Sequence, residues 1–93
     1  MVEKHYVLVV KNSCPHCVGA LDLLRTKGKS FIYTDMEYAT QALEETKKQS
    51  DWETVPMVWE QVVDWSSKEQ QVVSSQFVGG LTDLQDRLEQ EDD

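Results

Sequence analysis

The stretch Lys11-Asn12-Ser13-Cys14-Pro15-His16-Cys17 holds both cysteines of this 93-residue chain, directly after the apolar run 6–10. This order predicts a strand that leads into a dithiol at the start of a helix. Proline is disfavoured in a helix interior but suits the first helical turn, so we expect the helix to begin at Cys14 or Pro15. Cys14 then lies at the helix N-terminus, where unpaired N–H groups and the helix dipole stabilise a thiolate.

The two cysteines are predicted to play different roles. Cys17 lies one turn inside the helix and should be more buried and less ionised, so Cys14 is the expected nucleophile and Cys17 the resolving cysteine, with a redox disulfide between them. Lys11 and a protonated His16 are expected to stabilise the Cys14 thiolate further. The alternative is a metal site, but a closed zinc site would need carboxylates in addition to the two histidines, so redox chemistry is favoured and no metal is expected.

Length and composition predict one domain spanning residues 1–93, with 40% hydrophobic content and a modest core. The sequence shows no charged-then-apolar leader and no apolar run of the ~20 residues that a bilayer requires, so we expect no membrane association and a cytoplasmic location. In that reducing compartment, paired cysteines are more often catalytic than structural. Nine basic against seventeen acidic residues argue against nucleic acid as a partner. The segment 88–93, which carries four acidic residues, is predicted to form a frayed tail.

The first half of the chain predicts a strand–helix–strand unit followed by a covering helix. The continuous apolar run within residues 2–10 is typical of a central strand that is buried on both faces. The first helix should end near Lys27-Gly28, and residues 31–34 should form a second strand parallel to the first. Helical spacing then predicts an amphipathic helix over residues 38–49 whose buried face carries Tyr38, Ala42, Leu43 and Thr46.

The second half predicts an extended antiparallel hairpin and a last helix. A strand should resume at Met57, and β-rich runs on both sides of the polar stretch 64–70 indicate a hairpin. The longer segment 57–78, with Trp59 and Trp65, is either a ridge that docks a partner or a neutral extension. After the turn at Gly79-Gly80, we expect a helix with Thr82 as its N-cap and with Gln85 completing a capping box. Its buried face should carry Leu81, Leu84 and Leu88.

Three motifs, taken in order, resemble those of the glutaredoxins: Cys14-Pro15-His16-Cys17, Thr54-Val55-Pro56, and the segment 79–84 that opens the last helix. The similarity covers nearly the whole chain. It implies an α/β, thioredoxin-like fold with a central mixed four-stranded sheet flanked by helices and an extended hairpin between the third and fourth strands. It also implies thiol–disulfide exchange with glutathione as co-substrate, no bound cofactor, and a cis proline facing the dithiol.

The resemblance also assigns a glutathione groove, residue by residue. Lys11 would meet the glycine carboxylate, the Val55 backbone would pair with the cysteinyl part, and Leu81 and Thr82 would hold the γ-glutamyl carboxylate at a helix N-terminus. Helix capping is an alternative role for Thr82. His16 departs from the tyrosine of the commonest family form. The full set of predicted glutathione-binding residues is Lys11, His16, Thr54, Val55, Pro56, Gly80, Leu81, Thr82 and Asp83.

The expected substrates are disulfide-containing or glutathionylated proteins, with ribonucleotide reductase implied as one by the family resemblance, and the protein is expected to be a monomer. One alternative is a thioredoxin-like protein reduced by a flavoprotein reductase, but Ser13 stands where thioredoxins usually carry tryptophan. A second alternative is a dimer that binds an iron–sulfur cluster through two Cys14 thiolates and two glutathiones. Pro15 argues against it, because cluster-binding members usually carry a smaller residue there.

Overall fold

The computed structural model of the protein describes residues 2–64 and 71–91. Over these residues the elements, in chain order, are β1 (Val2–Val10), α1 (Pro15–Thr26), β2 (Phe31–Asp35), α2 (Thr40–Ser50), β3 (Met57–Asp64), β4 (Gln71–Gly79) and α3 (Leu81–Glu91). None of the helices within these ranges combines the length and apolar character that crossing a bilayer requires.

The strands form one mixed four-stranded sheet in the order β2-β1-β3-β4. β1 runs parallel to β2, with Tyr6 opposite Phe31, and antiparallel to β3, with Val9 opposite Met57. β3 and β4 form the predicted antiparallel hairpin. The predicted α/β, thioredoxin-like architecture is therefore confirmed, including the parallel strand–helix–strand unit.

Both faces of the sheet are covered, as the continuous apolar run in β1 predicted. On one face, Tyr6, Leu8 and Val10 pack with α1 and α3 residues that include Leu24 and Leu88. On the other face, a smaller cluster holds Val9 and Met57 with Leu43 of α2, and partly buried aromatic side chains join it: Trp52, Trp59 and Phe77. Alternate β1 residues thus anchor two separate layers of helices, because successive side chains of a strand point to opposite faces.

The start and end of α1 follow the sequence prediction closely. Cys14 caps the helix with an extended backbone, Pro15 is its first residue, and Lys27 is its C-cap. Gly28 follows with φ +67°, a left-handed conformation that glycine adopts at little steric cost. The helix therefore projects both cysteines from the carboxyl end of the central strand.

Two predictions about α2 and the tail are corrected. α2 begins at Thr40 rather than at residue 38, Tyr38 is 96% exposed, and Ala42 is also exposed, so only Leu43 of the predicted stripe is buried. The apolar spacing was misleading because Tyr38 lies in the connection before the helix. At the C-terminus, Leu88 is fully buried and α3 continues to Glu91, so the chain remains helical well into the predicted tail.

The predicted cap of α3 is wrong by two residues. The helix begins at Leu81, so Gly80 takes the N-cap position and Thr82 lies inside the first turn. The Gly80 N–H donates to Asp83 Oδ2 at 3.0 Å, so Asp83, and not Gln85, closes the first turn through its side chain. Aspartate three residues after the cap can replace the glutamate of a capping box, because its carboxylate reaches the same backbone N–H. The predicted buried residues Leu84 and Leu88 are confirmed, and Leu81 is half-buried.

The predicted hairpin is present over the described parts of residues 57–78. Trp59 is half-buried and its ring meets Phe77 edge to face, with the ring centroids 5.2 Å apart, so Trp59 belongs to the core and not to a docking ridge. Trp65 and the predicted turn from residue 65 to residue 70 lie outside the described residues.

Candidate active site

Cys14 stands at the N-cap of α1 and is partly exposed. Its Sγ atom accepts a hydrogen bond from the backbone N–H of Cys17 at 3.3 Å. Its own backbone N–H donates to the Lys11 carbonyl at 3.1 Å, which fixes the turn that presents the sulfur. The start of α1 thus places an N–H donor and the positive end of the helix dipole beside this sulfur.

Cys17 is buried, with 1% of its surface exposed, and both cysteines are free thiols. Burial, followed by the hydrogen bond with Cys14, raises the pKa of the Cys17 thiol from 9.0 to about 12, and the negative charge of Asp35 adds to this effect. The backbone of Lys11 acts in the opposite direction. Cys17 therefore remains protonated at neutral pH, which agrees with its predicted role as a buried resolving cysteine.

The loop before β3 lies against Cys14. The Cys14 thiol donates to the Val55 carbonyl at an Sγ···O distance of 3.7 Å. The peptide bond between Val55 and Pro56 is cis, as the resemblance predicted. The motif 54–56 and the dithiol, far apart in sequence, are thus brought together at one edge of the sheet.

A cleft of about 300 Å³ opens beside this edge. It is lined from the helix α1 by His16, from the loop before β3 by Thr54, Val55 and Pro56, and from the start of α3 by residues 80–83, with Trp52 closing the set. Eight of the nine predicted glutathione-binding residues therefore meet around one cleft: His16, Thr54, Val55, Pro56, Gly80, Leu81, Thr82 and Asp83.

Lys11, the ninth predicted residue, is half-buried and does not line the cleft. Its backbone contacts the dithiol turn through the Cys14 N–H. His16 lines the cleft and is exposed to solvent, two residues after Cys14 and one residue before Cys17. The structure thus gives His16 a place in the cleft and gives Lys11 a backbone contact with the dithiol turn.

The start of α3 is shaped by two glycines. Gly79 has φ +125°, a conformation that side chains rarely adopt, and a Cβ at this position would lie 2.7 Å from the Asp83 Cγ. This close approach lets the Asp83 carboxylate fold back over the turn to the Gly80 N–H. The first turn of α3 therefore reaches the cleft with its backbone N–H groups and with one carboxylate.

Trp52 is the cleft residue that sequence reasoning missed. Its ring meets Phe77 edge to face at 5.5 Å between centroids, and its indole N–H is buried with no acceptor among the described residues. The only signal in the sequence was that Trp52 lies two residues before the motif Thr54-Val55-Pro56, and residues this near in sequence are also near in space. Among residues 2–64 and 71–91, no group of three or more metal-ligating side chains is formed.

A dithiol at a helix start, facing a proline loop on a mixed four-stranded sheet, defines the class of thiol–disulfide oxidoreductases with a thioredoxin-like fold. The glutaredoxin family model matches residues 6–63, which is more than half of the chain. The chain therefore belongs to the glutaredoxin family.

A comparison with solved structures agrees with this assignment. The chain is similar to a glutaredoxin from Brucella melitensis, with a TM-score of 0.58 and 26% sequence identity. The match covers 96% of this chain and 82% of that one. The comparison with curated proteins found no match.

Proposed function

We propose that this protein uses glutathione to reduce protein disulfides and protein–glutathione mixed disulfides. The observation that carries the proposal is the cleft of about 300 Å³ beside Cys14, in which the loop 54–56 and the start of α3 meet. A glutathionyl group that enters this cleft brings its sulfur toward the exposed thiol of Cys14.

The cleft wall at the start of α3 suits the two charged groups on the α-carbon of a γ-glutamyl residue, the carboxylate and the ammonium group. The backbone N–H groups at the start of α3, at Leu81 and Thr82, suit the α-carboxylate because a helix N-terminus attracts anions. The Asp83 carboxylate lines the same wall and suits the α-ammonium group. A zwitterion is therefore a better match for this wall than a simple anion.

The proposed reaction uses both cysteines in a fixed order. The Cys14 thiolate attacks the glutathione sulfur of a mixed disulfide, and the protein substrate leaves as its thiolate while a Cys14–glutathione disulfide forms. A second glutathione thiolate then attacks this bond and releases oxidised glutathione. For a protein disulfide, the Cys14 thiolate attacks one sulfur and forms a Cys14–substrate disulfide. The Cys17 thiol then attacks this bond as its proton passes to the departing substrate thiolate, and the Cys14–Cys17 disulfide that results is reduced by two glutathione molecules.

The test is a coupled assay with glutathione, glutathione reductase and a small mixed disulfide. The proposal predicts turnover that depends on glutathione and is lost in the Cys14→Ser variant. A parallel assay replaces glutathione and its reductase with a flavoprotein thioredoxin reductase. Turnover in that second system alone would overturn the glutathione dependence and favour a thioredoxin-like role.

We further propose a cytoplasmic, monomeric protein, since a dithiol that donates electrons needs a reducing compartment. Ribonucleotide reductase is proposed as one protein substrate on the family resemblance. Reduction of its disulfide in the coupled glutathione system is the corresponding test, with the Cys17→Ser variant as the control that should lose this two-cysteine reaction.

A further inference from the structure

A second cleft of about 470 Å³ adjoins the cleft lined by His16, the loop 54–56 and residues 80–83, which we call the dithiol cleft because its Val55 contacts Cys14. Trp52 lines both clefts. The walls of the second cleft come from the C-terminal half of α2 and from the connection that follows it. They are formed by Glu44, Lys47, Lys48, Asp51, Trp52 and Glu53. The two clefts therefore adjoin at the side chain of Trp52.

The position of Trp52 is set by contacts at its backbone and at its ring. Its backbone N–H donates to the Lys47 carbonyl at 3.0 Å, which ties it to the end of α2. Asp51, the preceding residue, turns the chain with a left-handed φ of 52°. The ring packs on Phe77 in a T-shaped contact and approaches Gly80 at the start of α3, so contacts with two other elements hold the indole beside the cleft.

Some charged side chains around Trp52 have an ion-pair partner and others have none. Lys47 pairs with Glu44 at 3.5 Å, whereas the side chains of Lys48, Asp51 and Glu53 form no ion pair or hydrogen bond within residues 2–64 and 71–91, so the unpaired groups are two carboxylates and one ammonium group. Both carboxylates are exposed and stand on either side of Trp52 in the chain. An aromatic ring flanked by two unpaired carboxylates is a favourable setting for an ammonium or guanidinium group. The chain as a whole carries a net charge of −8, which also attracts basic partners.

We propose that the second cleft is a docking site for the polypeptide half of the disulfide substrate and that Trp52, Asp51 and Glu53 select basic side chains near its reactive cysteine. This inference rests on the proposed function, in which the glutathionyl half occupies the dithiol cleft. The polypeptide half then needs a surface of its own, and the adjoining cleft is the larger of the two.

The kinetic test compares two glutathionylated peptides of equal length, one with arginine and one with aspartate on both sides of the cysteine. In each turnover, the Cys14 thiolate takes the glutathionyl group, the peptide leaves as its thiolate, and glutathione reduces the enzyme. The wild-type protein is expected to favour the basic peptide in kcat/KM by roughly fivefold or more, from a cation–π contact together with exposed charge pairs. Equal kcat/KM for the two peptides would overturn the proposal.

Two charge-reversal variants distinguish docking in the second cleft from attraction by the net charge of the protein. Glu53→Lys is expected to lower the basic-to-acidic ratio by roughly threefold or more. The control is Glu89→Lys, which makes the same charge change on an exposed position of α3, eight residues and about 12 Å along the helix from Leu81. A ratio that falls equally in both variants would show long-range attraction in place of docking and would overturn the proposal.

A binding measurement keeps this inference separate from the glutathione reaction. The probe is an arginine-flanked peptide in which serine replaces the cysteine, added to the ¹⁵N-labelled protein while the Trp52 indole N–H signal is followed. The signal is assigned by comparison with the Trp52→Phe variant. A saturable shift with the basic peptide, weakened in Glu53→Lys but not in Glu89→Lys, supports the docking site even if the coupled assay fails. No shift of the Trp52 signal would overturn the proposal, whatever the assay shows.

Discussion

The backbone N–H of Cys17 donates to the Sγ atom of Cys14 at 3.3 Å, so the buried cysteine helps to hold the sulfur of the exposed one. The bond gives the two thiols unequal chemistry. Cys14 can meet a substrate from the cleft side, whereas Cys17, at 1% exposure, reaches only the sulfur in front of it. This geometry supports the proposed order of attack, in which Cys14 reacts before Cys17.

The first prediction concerns this order. Cys14→Ser should abolish exchange, because the only partly exposed thiol of the pair is lost. Cys17→Ser should still reduce a glutathionylated peptide, since that route needs one protein thiol and a second glutathione. Initial rates with the same glutathionylated peptide decide the assignment. Equal loss in the two variants would show that both thiols are required.

The second prediction concerns stability at high pH. Burial and the bond with Cys14 raise the pKa of Cys17 to about 12, so the folded protein keeps this proton after the unfolded chain, near 9.0, has lost it. A raised pKa contributes stability that is complete below pH 9 and is lost as the pH rises toward 12. The free energy of unfolding of the reduced wild type should therefore fall relative to Cys17→Ser by up to ~1.4 kcal/mol per pH unit in this window.

Denaturant unfolding of both proteins at pH 8 and pH 10.5, with a phosphine reductant present, measures this difference. The comparison cancels the titration of lysine and tyrosine, which both proteins share. A difference in unfolding free energy that stays constant between the two pH values would contradict the buried, protonated state of Cys17.

The sequence was sufficient for the features that local rules determine. Pro15 marks the start of α1, Gly28 its end, and the apolar run 6–10 a strand buried on both faces, and each agrees with the structure. These features succeed because proline, glycine and continuous apolar runs restrict the backbone or its burial wherever they occur.

The failures arose where tertiary contacts decided the outcome. Thr82 has the right chemistry for a cap, but the close approach of Gly79 to Asp83 places the helix start two residues earlier. Trp52 gave no motif, and its place in the cleft depends on Phe77, which lies 25 residues further along the chain. No local pattern specifies such a pairing.

The third prediction distinguishes two roles of Asp83: it accepts a hydrogen bond from the Gly80 N–H, and we propose that it binds the γ-glutamyl ammonium group. Asp83→Ala removes the acceptor for the Gly80 N–H and should cost roughly 1 kcal/mol of unfolding free energy, a typical value for a lost helix cap. Asp83→Asn keeps a side-chain oxygen as acceptor but removes the charge that we propose for the γ-glutamyl ammonium. It should therefore raise the KM for glutathione with a smaller loss of stability.

The matched control for this pair is Asp86→Asn, an exposed position on the same helix that does not line the cleft. It makes the same charge change and should leave the KM for glutathione near the wild-type value. Equal effects of Asp83→Asn and Asp86→Asn on the KM would argue for the net charge of α3 and against a specific contact.

The fourth prediction compares a buried and an exposed ion pair. Glu60 is only 8% exposed and accepts from Arg87 at 3.3 Å and from the Tyr6 hydroxyl at 3.3 Å, with Lys4 at 3.8 Å. Arg87→Met should destabilise the fold by roughly 1–3 kcal/mol, because a buried carboxylate loses part of its compensation. Thermal or urea unfolding measures the loss.

The control for Arg87 is Lys47→Met. The two cations are similarly exposed, at 29% for Arg87 and 25% for Lys47, but the partner of Lys47, Glu44, is 65% exposed while Glu60 is 9% exposed by side chain. Water already solvates Glu44, so this change should cost no more than ~1 kcal/mol. Equal losses in the two variants would show that burial of the carboxylate does not set the cost.

The last prediction concerns His16, which lines the dithiol cleft between the two cysteines in sequence. A protonated imidazole close to Cys14 stabilises the thiolate and with it the reduced protein, so the disulfide becomes a stronger oxidant. His16→Tyr should therefore shift the reduction potential to more negative values. The side chain is exposed and the effect is limited by solvent, so we expect a shift of roughly 10–20 mV near pH 6.

Equilibration of both proteins with glutathione redox buffers at pH 6 and pH 8 measures this shift. The control is His5→Tyr in the first half of β1, where the imidazole hydrogen-bonds to Gln61; it changes the same residue type away from the dithiol and should leave the potential unchanged. A potential that is the same in wild type and His16→Tyr at both pH values would mean that the imidazole does not act on the Cys14 sulfur, and tuning of the dithiol would then rest on the helix N-terminus and the Cys17 N–H alone.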